Sequence, residues 1–311
     1  MDYFEEGIIG NSLIIKKKLE FIRKVAKSDK NVLIWGETGT GKSLTAKKIH
    51  ELSNRRENPF ISINCANIPD DLFEAELFGY VRGAFTGATR EKFGLIEIAK
   101  NGTVFLDEIG DLNIHLQAKL LKIIEEKKLR RLGDTVMRKV FARFIFSTNK
   151  NLQDEVRFGR FRKDLFYRIN VVRFYIPPLK DRKEDIIPLV EHILKRENIN
   201  RNQEKKISPM AIKKLLNYDY PGNIRELENI IERACLLSEG DIIEERDIKF
   251  DYEQERSFST QMGKISPEKL REKLEKYKWN KTRVADEVGL SRRQLYRLLN
   301  KYGMIDCVRK D

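Results

Sequence analysis

Cysteine and histidine are scarce in this chain: 3 of each in 311 residues. Cys65, Cys235 and Cys307 form no Cys-x-x-Cys pair and the histidines make no ligand cluster, which argues against a disulfide scaffold and a zinc site. No run of about 18 apolar residues exists to span a membrane, and mean hydropathy is -0.53. The first residues, Met1-Asp2-Tyr3-Phe4-Glu5-Glu6, are acidic and lack the apolar core of a secretion signal, so the expected location is the cytoplasm. What is present is a 41% hydrophobic and 35% charged composition, enough to form a core and to exclude wholesale disorder. The length suggests two domains with a small third. Lys and Arg number 61 against 48 Asp and Glu, a net +13. Residues 264–311 hold 14 of those cations against 7 carboxylates, a net +7. A nucleic-acid-binding appendage has this balance, and so does a solvated Lys/Glu helix face.

Apolar runs alternate with amphipathic stretches in the first half. Asn31–Trp35, Phe60–Asn64, Thr103–Asp107 and Arg143–Thr148 read as strands, and Ser43–Leu52 as a helix. Strands alternating with helices imply crossover units and a mainly parallel, covered sheet. The pattern changes at Pro177-Pro178, and Glu184–Glu245 shows only helical periodicity. Residues 251–263 are polar and read as a linker. Ser266-Pro267-Glu268 then starts a helix with proline in its first turn.

Gly36-Glu37-Thr38-Gly39-Thr40-Gly41-Lys42-Ser43 carries glycine, four residues and then Gly-Lys-Ser, with an apolar strand before it and a helix after it. Its glycines let backbone N–H groups curl around a triphosphate, and the helix amino terminus favours negative charge. Lys42 can reach the β- and γ-phosphates, and the Ser43 hydroxyl can ligate Mg²⁺. The strand Thr103–Leu106 ends at Asp107-Glu108. There Asp107 can hold the water shell of Mg²⁺ and Glu108 can polarise the attacking water. Asn149, closing the fourth strand, can contact γ-phosphate or that water, and equally can form a turn.

Gly83-Ala84-Phe85-Thr86-Gly87-Ala88 is a small-residue hexapeptide with one aromatic and one hydroxyl, lying between helical segments; composition alone makes it a mobile loop. This string, GAFTGA, preceded by Glu76-Leu77-Phe78-Gly79-Tyr80, resembles the signature of the sigma-54-dependent transcription activators, which are bacterial enhancer-binding proteins of the AAA+ ATPase class. Ile8-Ile9-Gly10, Leu106-Asp107-Glu108-Ile109, Phe161-Arg162, Tyr167-Arg168 and Pro221-Gly222-Asn223-Ile224-Arg225-Glu226-Leu227 stand where that family has its motifs. The resemblance implies an ATP-hydrolysing machine whose hexapeptide contacts sigma-54, chiefly through Phe85 and Thr86 with the glycines as hinges. It makes Arg162 and Arg168 arginine fingers supplied to a neighbouring subunit, and Arg225 a lid arginine that touches phosphate in its own subunit. It makes Asn64 a switch that restrains Glu108 and links it to the loop. An arginine at the transition state accelerates hydrolysis about 10³–10⁵-fold, so activity would require oligomerisation, from dimer to a hexameric ring.

There are departures. Val140-Phe141-Ala142-Arg143 lacks the Asp of the family's usual Val-Asp-Val-Arg, and Ser43 stands where many relatives have Glu. The motifs begin by residue 8, leaving no room before them for the regulatory domain most relatives carry. The chain is then either controlled by a separate protein or part of a longer one.

Residues 281–303 read as helix-turn-helix. Lys281–Val288 offers an apolar face, Gly289 makes the turn, Leu290 is buried, and Ser291 caps the second helix. That helix puts Leu295, Leu298 and Leu299 inward. It leaves Arg292, Arg293 and Arg297, with Ser291 at its start, for the major groove of double-stranded DNA. The segment resembles the Fis-type reader of many sigma-54 activators. The helix from Glu268 to Trp279 is a dimer face, so two readers would meet an inverted repeat.

The expected architecture is an α/β AAA+ subdomain with a parallel P-loop sheet (1–178), an all-helical lid (179–250), a linker (251–263) and a small all-α reader (264–311). The expected function is an ATPase that binds upstream DNA and remodels the closed complex of the sigma-54 RNA polymerase holoenzyme. The alternatives are a nucleotide-controlled DNA-binding regulator without remodelling, which does not require the intact hexapeptide, and another AAA+ machine such as a helicase loader.

Overall fold

The apolar runs lie side by side as strands. The computed structural model describes residues 7–66, 69–202, 204–250, 266–277 and 279–288, with positions 295, 299, 302 and 304. It divides into two units, 1–248 and 249–311. In the first, the strands are β1 (Val32–Trp35), β2 (Phe60–Asn64), β3 (Gly79–Tyr80), β4 (Lys92–Phe93), β5 (Thr103–Asp107), β6 (Lys128–Leu129), β7 (Arg138–Lys139), β8 (Arg143–Thr148) and β9 (Val172–Tyr175). The main sheet has five strands in the order β2-β5-β8-β1-β9, parallel throughout.

Successive side chains of a strand face opposite ways, and both faces here are covered. Val32, Ile34, Phe105 and Ile145 pack with Ile15, Leu19, Ala46 and Ile49 from α1 (Leu13–Ala26) and α2 (Lys42–Glu51). Leu33, Val104, Leu106, Phe144 and Phe146 pack the other way with Phe73, Leu77, Leu120 and Ile124, from α3 (Asp70–Phe78) and α5 (Ile114–Glu126). The short α4 (Leu95–Ile98), α6 (Leu152–Arg157) and α7 (Lys163–Ile169) complete this layer. Because the strands are parallel, Asn64, Asp107 and Thr148 end on the same edge of the sheet, where Gly36 leaves β1.

The four runs read as strands are strands; β9 was not read as one. It is an edge strand with a charged, exposed Arg173 inside its four residues, whereas the four strands read from sequence carry no charge in their interiors. Beyond Pro178 the chain forms α8 (Ile186–Arg201), α9 (Pro209–Leu216) and α10 (Asn223–Leu237). Arg196 on α8 reaches Glu228 and Glu232 on α10 at 3.3 and 2.8 Å. This helical segment also carries a two-residue parallel pair, β10 (Lys206–Ile207) with β11 (Ile242–Ile243), too short to leave a periodicity.

In the second unit α11 (Pro267–Lys276) starts at Ser266, whose hydroxyl accepts the Lys269 N–H at 3.3 Å. This helix ends at Lys276, short of the expected Trp279, which takes a left-handed φ of 58°. It packs against α12 (Lys281–Glu287) through Leu270, Leu274, Val284 and Ala285, joined by Leu295, Leu299 and Met304. Gly289, Leu290, Leu298 and the expected DNA contacts Ser291, Arg292, Arg293 and Arg297 lie outside the described residues, as does the linker 251–263. No helix among the described residues is long and apolar enough to cross a membrane.

His50 ends α2 inside the core at 5% exposure. Its Nδ1 meets the Thr103 hydroxyl at 2.9 Å and its ring faces Phe60 at 5.3 Å. Burial holds its pKa below the ordinary 6.5. The unfolded chain therefore takes up this proton first: the contribution is full above about pH 6.5 and is lost as pH falls through the lower folded-state value. We expect His50→Gln to lose less thermal stability than wild type between about pH 7 and 5.5; equal losses would contradict this.

Candidate functional site

The loop between β1 and α2 is shaped by two left-handed glycines, Gly39 (φ 79°) and Gly41 (φ 101°). A Cβ on Gly39 would collide with the Gly222 carbonyl. Gly41 caps α2 without a side-chain hydrogen bond, so the helix presents open N–H groups where an anion is favoured. Lys42 follows, 6% exposed. Its Nζ lies 3.0 Å from Glu108 Oε1 and donates to the Gly36 and Glu37 carbonyls at 3.1 and 3.4 Å.

The carboxylates expected at the end of β5 meet this loop. Asp107 Oδ2 accepts from the Ser43 hydroxyl at 3.0 Å, while Oδ1 accepts from the Ser147 hydroxyl and the Glu108 N–H. Glu108 takes a left-handed φ of 52°, a conformation that costs a non-glycine residue about 1 kcal/mol or more. That bend turns its carboxylate back, so Oε2 also accepts the Asn149 N–H at 3.0 Å. The Asn149 side chain in turn donates to Thr38 Oγ1 at 3.1 Å. Asn64 lines the same cleft, and its side-chain Oδ1 accepts the Ala66 N–H at 2.9 Å, whereas Glu108 is held by Lys42 and Asn149.

Arg225 reaches the cleft from α10, which closes over it with Ile224 and Glu228; the space is about 540 Å³. A second, apolar cavity of about 330 Å³ adjoins it across Gly41 and Leu44. Ile8, Ile9, Phe174, Ile176, His192 and Ile193 line that cavity. It lies beside the phosphate loop, whose Thr40 and Gly41 also line it; of its residues, sequence singles out those two and the motif residues Ile8, Ile9 and Ile224, and not Phe174, His192 or Ile193.

Arg162 and Arg168, both on the α7 segment, are not brought to this cleft. Arg162 forks onto Asp164 at 3.0 and 2.7 Å, an interaction that raises the pKa of the guanidinium. Arg168 is exposed and lies close enough to Lys127 to depress its pKa, after burial.

GAFTGA is the tip of an excursion between α3 and α4, with the two-residue antiparallel pair β3–β4 at its base. The Gly83 N–H bonds the Ala88 carbonyl at 2.9 Å and the Ala88 N–H the Phe85 carbonyl at 3.0 Å. Gly83 and Gly87 have φ of 83° and 100° with open space around them. Phe85 is 48% exposed and meets Tyr80 edge-on at 5.0 Å; Thr86 is exposed. Arg131, 4% exposed, holds the base together. It forks onto Glu97 at 2.9 and 2.7 Å, reaches Glu91 at 3.0 Å and covers the Phe93 ring at 4.2 Å.

The departure at Val140-Phe141-Ala142-Arg143 leaves Phe141 60% exposed. Its carbonyl accepts from Arg55 at 2.7 Å. Arg143 caps α1 instead, donating to the Val25 and Ala26 carbonyls at 2.9 and 3.1 Å. Burial pushes its pKa down to about 10, so it stays cationic at neutral pH.

Comparison with known proteins identifies the family of each segment. Residues 8–175 match the family described as the sigma-54 interaction domain, 180–265 the AAA+ ATPase lid domain, and 264–302 the bacterial regulatory proteins of the Fis family. The regulatory protein AtoC of Escherichia coli is 42% identical over 96% of this chain and 68% of its own length. The Nif-specific regulatory protein of Enterobacter agglomerans is 40% identical over 94% of this chain, which spans 59% of that relative. Among solved structures, NtrX from Brucella abortus in complex with ADP superposes with a TM-score of 0.73 at 31% identity, covering 95% of this chain and 69% of that one.

Arg131 neutralises two carboxylates from a buried position, and its removal leaves Glu97, 24% exposed, without the fork. Arg131→Ala is expected to lower unfolding stability by about 3 kcal/mol. Arg131→Lys should recover less than half of that, since an ammonium lacks the planar fork. Urea unfolding checks both, and full recovery by lysine would contradict the bidentate reading.

Proposed function

The chain belongs to the sigma-54 activator family of AAA+ ATPases with a Fis-type DNA-binding domain, and on that premise we propose that it is an ATP-hydrolysing transcription activator. It binds upstream DNA, assembles into a ring and converts the closed complex of sigma-54 RNA polymerase holoenzyme into an open one. The observation that carries this reading is the joint placement of Lys42, Ser43, Asp107, Glu108 and Asn149 around one cleft, with an exposed GAFTGA tip on the excursion that follows α3. NtrX structures solved with ADP and with ATP support adenine nucleotides as the ligand.

The residues of the cleft suggest the steps. Gly36–Ser43 wraps the phosphates. An arriving γ-phosphate takes Lys42 from Glu108, 3.0 Å away, and so frees the carboxylate to accept a proton from the attacking water. Asn149, tied to both Glu108 and Thr38, orients that water. Ser43 and Asp107 fit Mg²⁺: their oxygens are 3.0 Å apart on the cleft side, and this ion is usually held by one or two protein ligands plus phosphate. Bound there, it would neutralise charge developing between the β- and γ-phosphates. Arg162 and Arg168 act on the neighbouring subunit's phosphate, in keeping with their distance from their own cleft. Arg225 reads the phosphates within its own subunit.

Asn64 sits opposite Asp107 in the strand register and precedes α3, which carries the excursion. That path supports Asn64 as the switch between Glu108 and the Phe85-Thr86 tip. The working parts are the ATPase subdomain 1–178, the lid 179–250, the linker 251–263 and the reader 264–311. Its Ser291, Arg292, Arg293 and Arg297 meet an inverted DNA repeat. Cytoplasmic DNA and polymerase are its partners.

In an in vitro assay, Thr86→Ala should hydrolyse ATP within about twofold of wild type while sigma-54-dependent open complexes fall by about tenfold or more. Normal promoter opening by this variant would defeat the remodelling reading.

A further inference from the structure

Three consecutive carbonyls of the phosphate loop are occupied, and all three donors come from beyond Pro178. The Thr38 carbonyl accepts from Asn223 Nδ2 at 3.0 Å, the Gly39 carbonyl from the Ile224 N–H at 3.0 Å, and the Thr40 carbonyl from Arg182 Nη2 at 3.2 Å. Neither side-chain donor has an ordinary surface role. Asn223 is wholly buried with a left-handed φ of 55°, and its Oδ1 accepts the Leu179 N–H at 2.7 Å while Nδ2 also donates to Glu37 Oε2 at 3.1 Å. Arg182 is 2% exposed and its Nε has no partner among the described residues. It is held 3.8 Å from Asp185, itself pinned by the Ser12 N–H and hydroxyl at 2.7 and 2.8 Å. Burying an incompletely bonded guanidinium is costly, and packing alone does not call for one here.

A trans peptide carries its N–H opposite its C=O. Fixing the carbonyls of Thr38, Gly39 and Thr40 toward the lid therefore turns the N–H groups of Gly39, Thr40 and Gly41 the other way, to the side where Gly39 and Gly41 line the cleft. We propose that Asn223 and Arg182 are positioning residues that set the phosphate-binding amides from the lid, so that the anion nest is complete only while lid and loop are joined. Lid separation and phosphate release are then one event. The close approach of Gly39 to Gly222 leaves the joint no slack. This inference rests on the reading of the cleft as a nucleotide site and names residues which that reading does not use.

The test is Asn223→Asp, which keeps the shape but sets an acceptor against the Thr38 carbonyl and the Glu37 carboxylate. ADP affinity, followed by fluorescence of a labelled ADP, should fall about tenfold. The KM for ATP should rise by a similar factor, with kcat within about twofold, because the nest holds ground and transition states alike. Adding Glu37→Gln supplies a donor facing the introduced carboxylate and should recover at least about threefold of the lost affinity. Arg182→Met should raise KM in the same sense. A purely structural role would lower melting temperature and active fraction, and so kcat, with KM unchanged. That pattern, or no recovery in the double variant, overturns the inference. Wild-type chain that bound no ADP would instead remove the nucleotide-site reading beneath it.

Discussion

The Lys42 ammonium sits at the end of the sheet with little water around it, between two loop carbonyls and the Glu108 carboxylate at 3.0 Å. A buried cation is tolerable only while it is paired, so most of the surrounding structure keeps those partners in place. The parallel sheet puts β1 and β5 on one edge, the left-handed backbone at Glu108 turns its carboxylate back, and Asn149 holds the second carboxylate oxygen. A triphosphate is the natural competitor for that ammonium, because it offers more negative charge at the same place. In the proposed mechanism, exchange of Lys42 between Glu108 and phosphate ties binding to activation of the acid, with no large movement required at the chemistry itself.

Around this pair the loop is enclosed on its carbonyl side by the lid and on its amide side by the cleft. Asn223, Ile224 and Arg182 belong to two separate lid segments, yet they meet three successive peptide groups. The adjoining apolar cavity is likewise assembled from the amino terminus, β9, α8 and α10. Nucleotide binding at this site therefore involves both halves of the first unit. The GAFTGA excursion is built on a different principle: its tip is open and glycine-hinged, while its base is locked by Arg131 onto Glu91 and Glu97. On the proposed reading, the stiff base under the open tip carries displacement of α3 to Phe85 and Thr86.

Much of this was legible in the sequence because it is local. Val32–Trp35, Thr103–Asp107 and Arg143–Thr148 are buried on both faces, so each holds three apolar residues in a row: Val32-Leu33-Ile34, Val104-Phe105-Leu106 and Phe144-Ile145-Phe146. The phosphate loop is contiguous, and Asp107-Glu108 stands where a strand ends. Features made by contacts distant along the chain were not legible: β9 has an exposed edge, β10 and β11 are two residues each, and Arg131 meets partners well back along its subdomain. Asn223 and Arg182 fall in the same class, since no spacing rule links them to residues 38–40. Arg162, Arg168 and Arg225 were separable from ordinary surface arginines only by resemblance. The structure places Arg225 at the cleft and the other two away from it.

On the proposed reading, Glu108 converts nucleotide binding at Lys42 into the work done by the loop. The most direct test of this measures sigma-54-dependent open-complex formation by Glu108→Gln beside its ATP binding and hydrolysis. ATP affinity should stay within about threefold of wild type, with hydrolysis lower by about 10² or more and no open complexes. Promoter opening at wild-type yield by this variant, with hydrolysis absent, would contradict it.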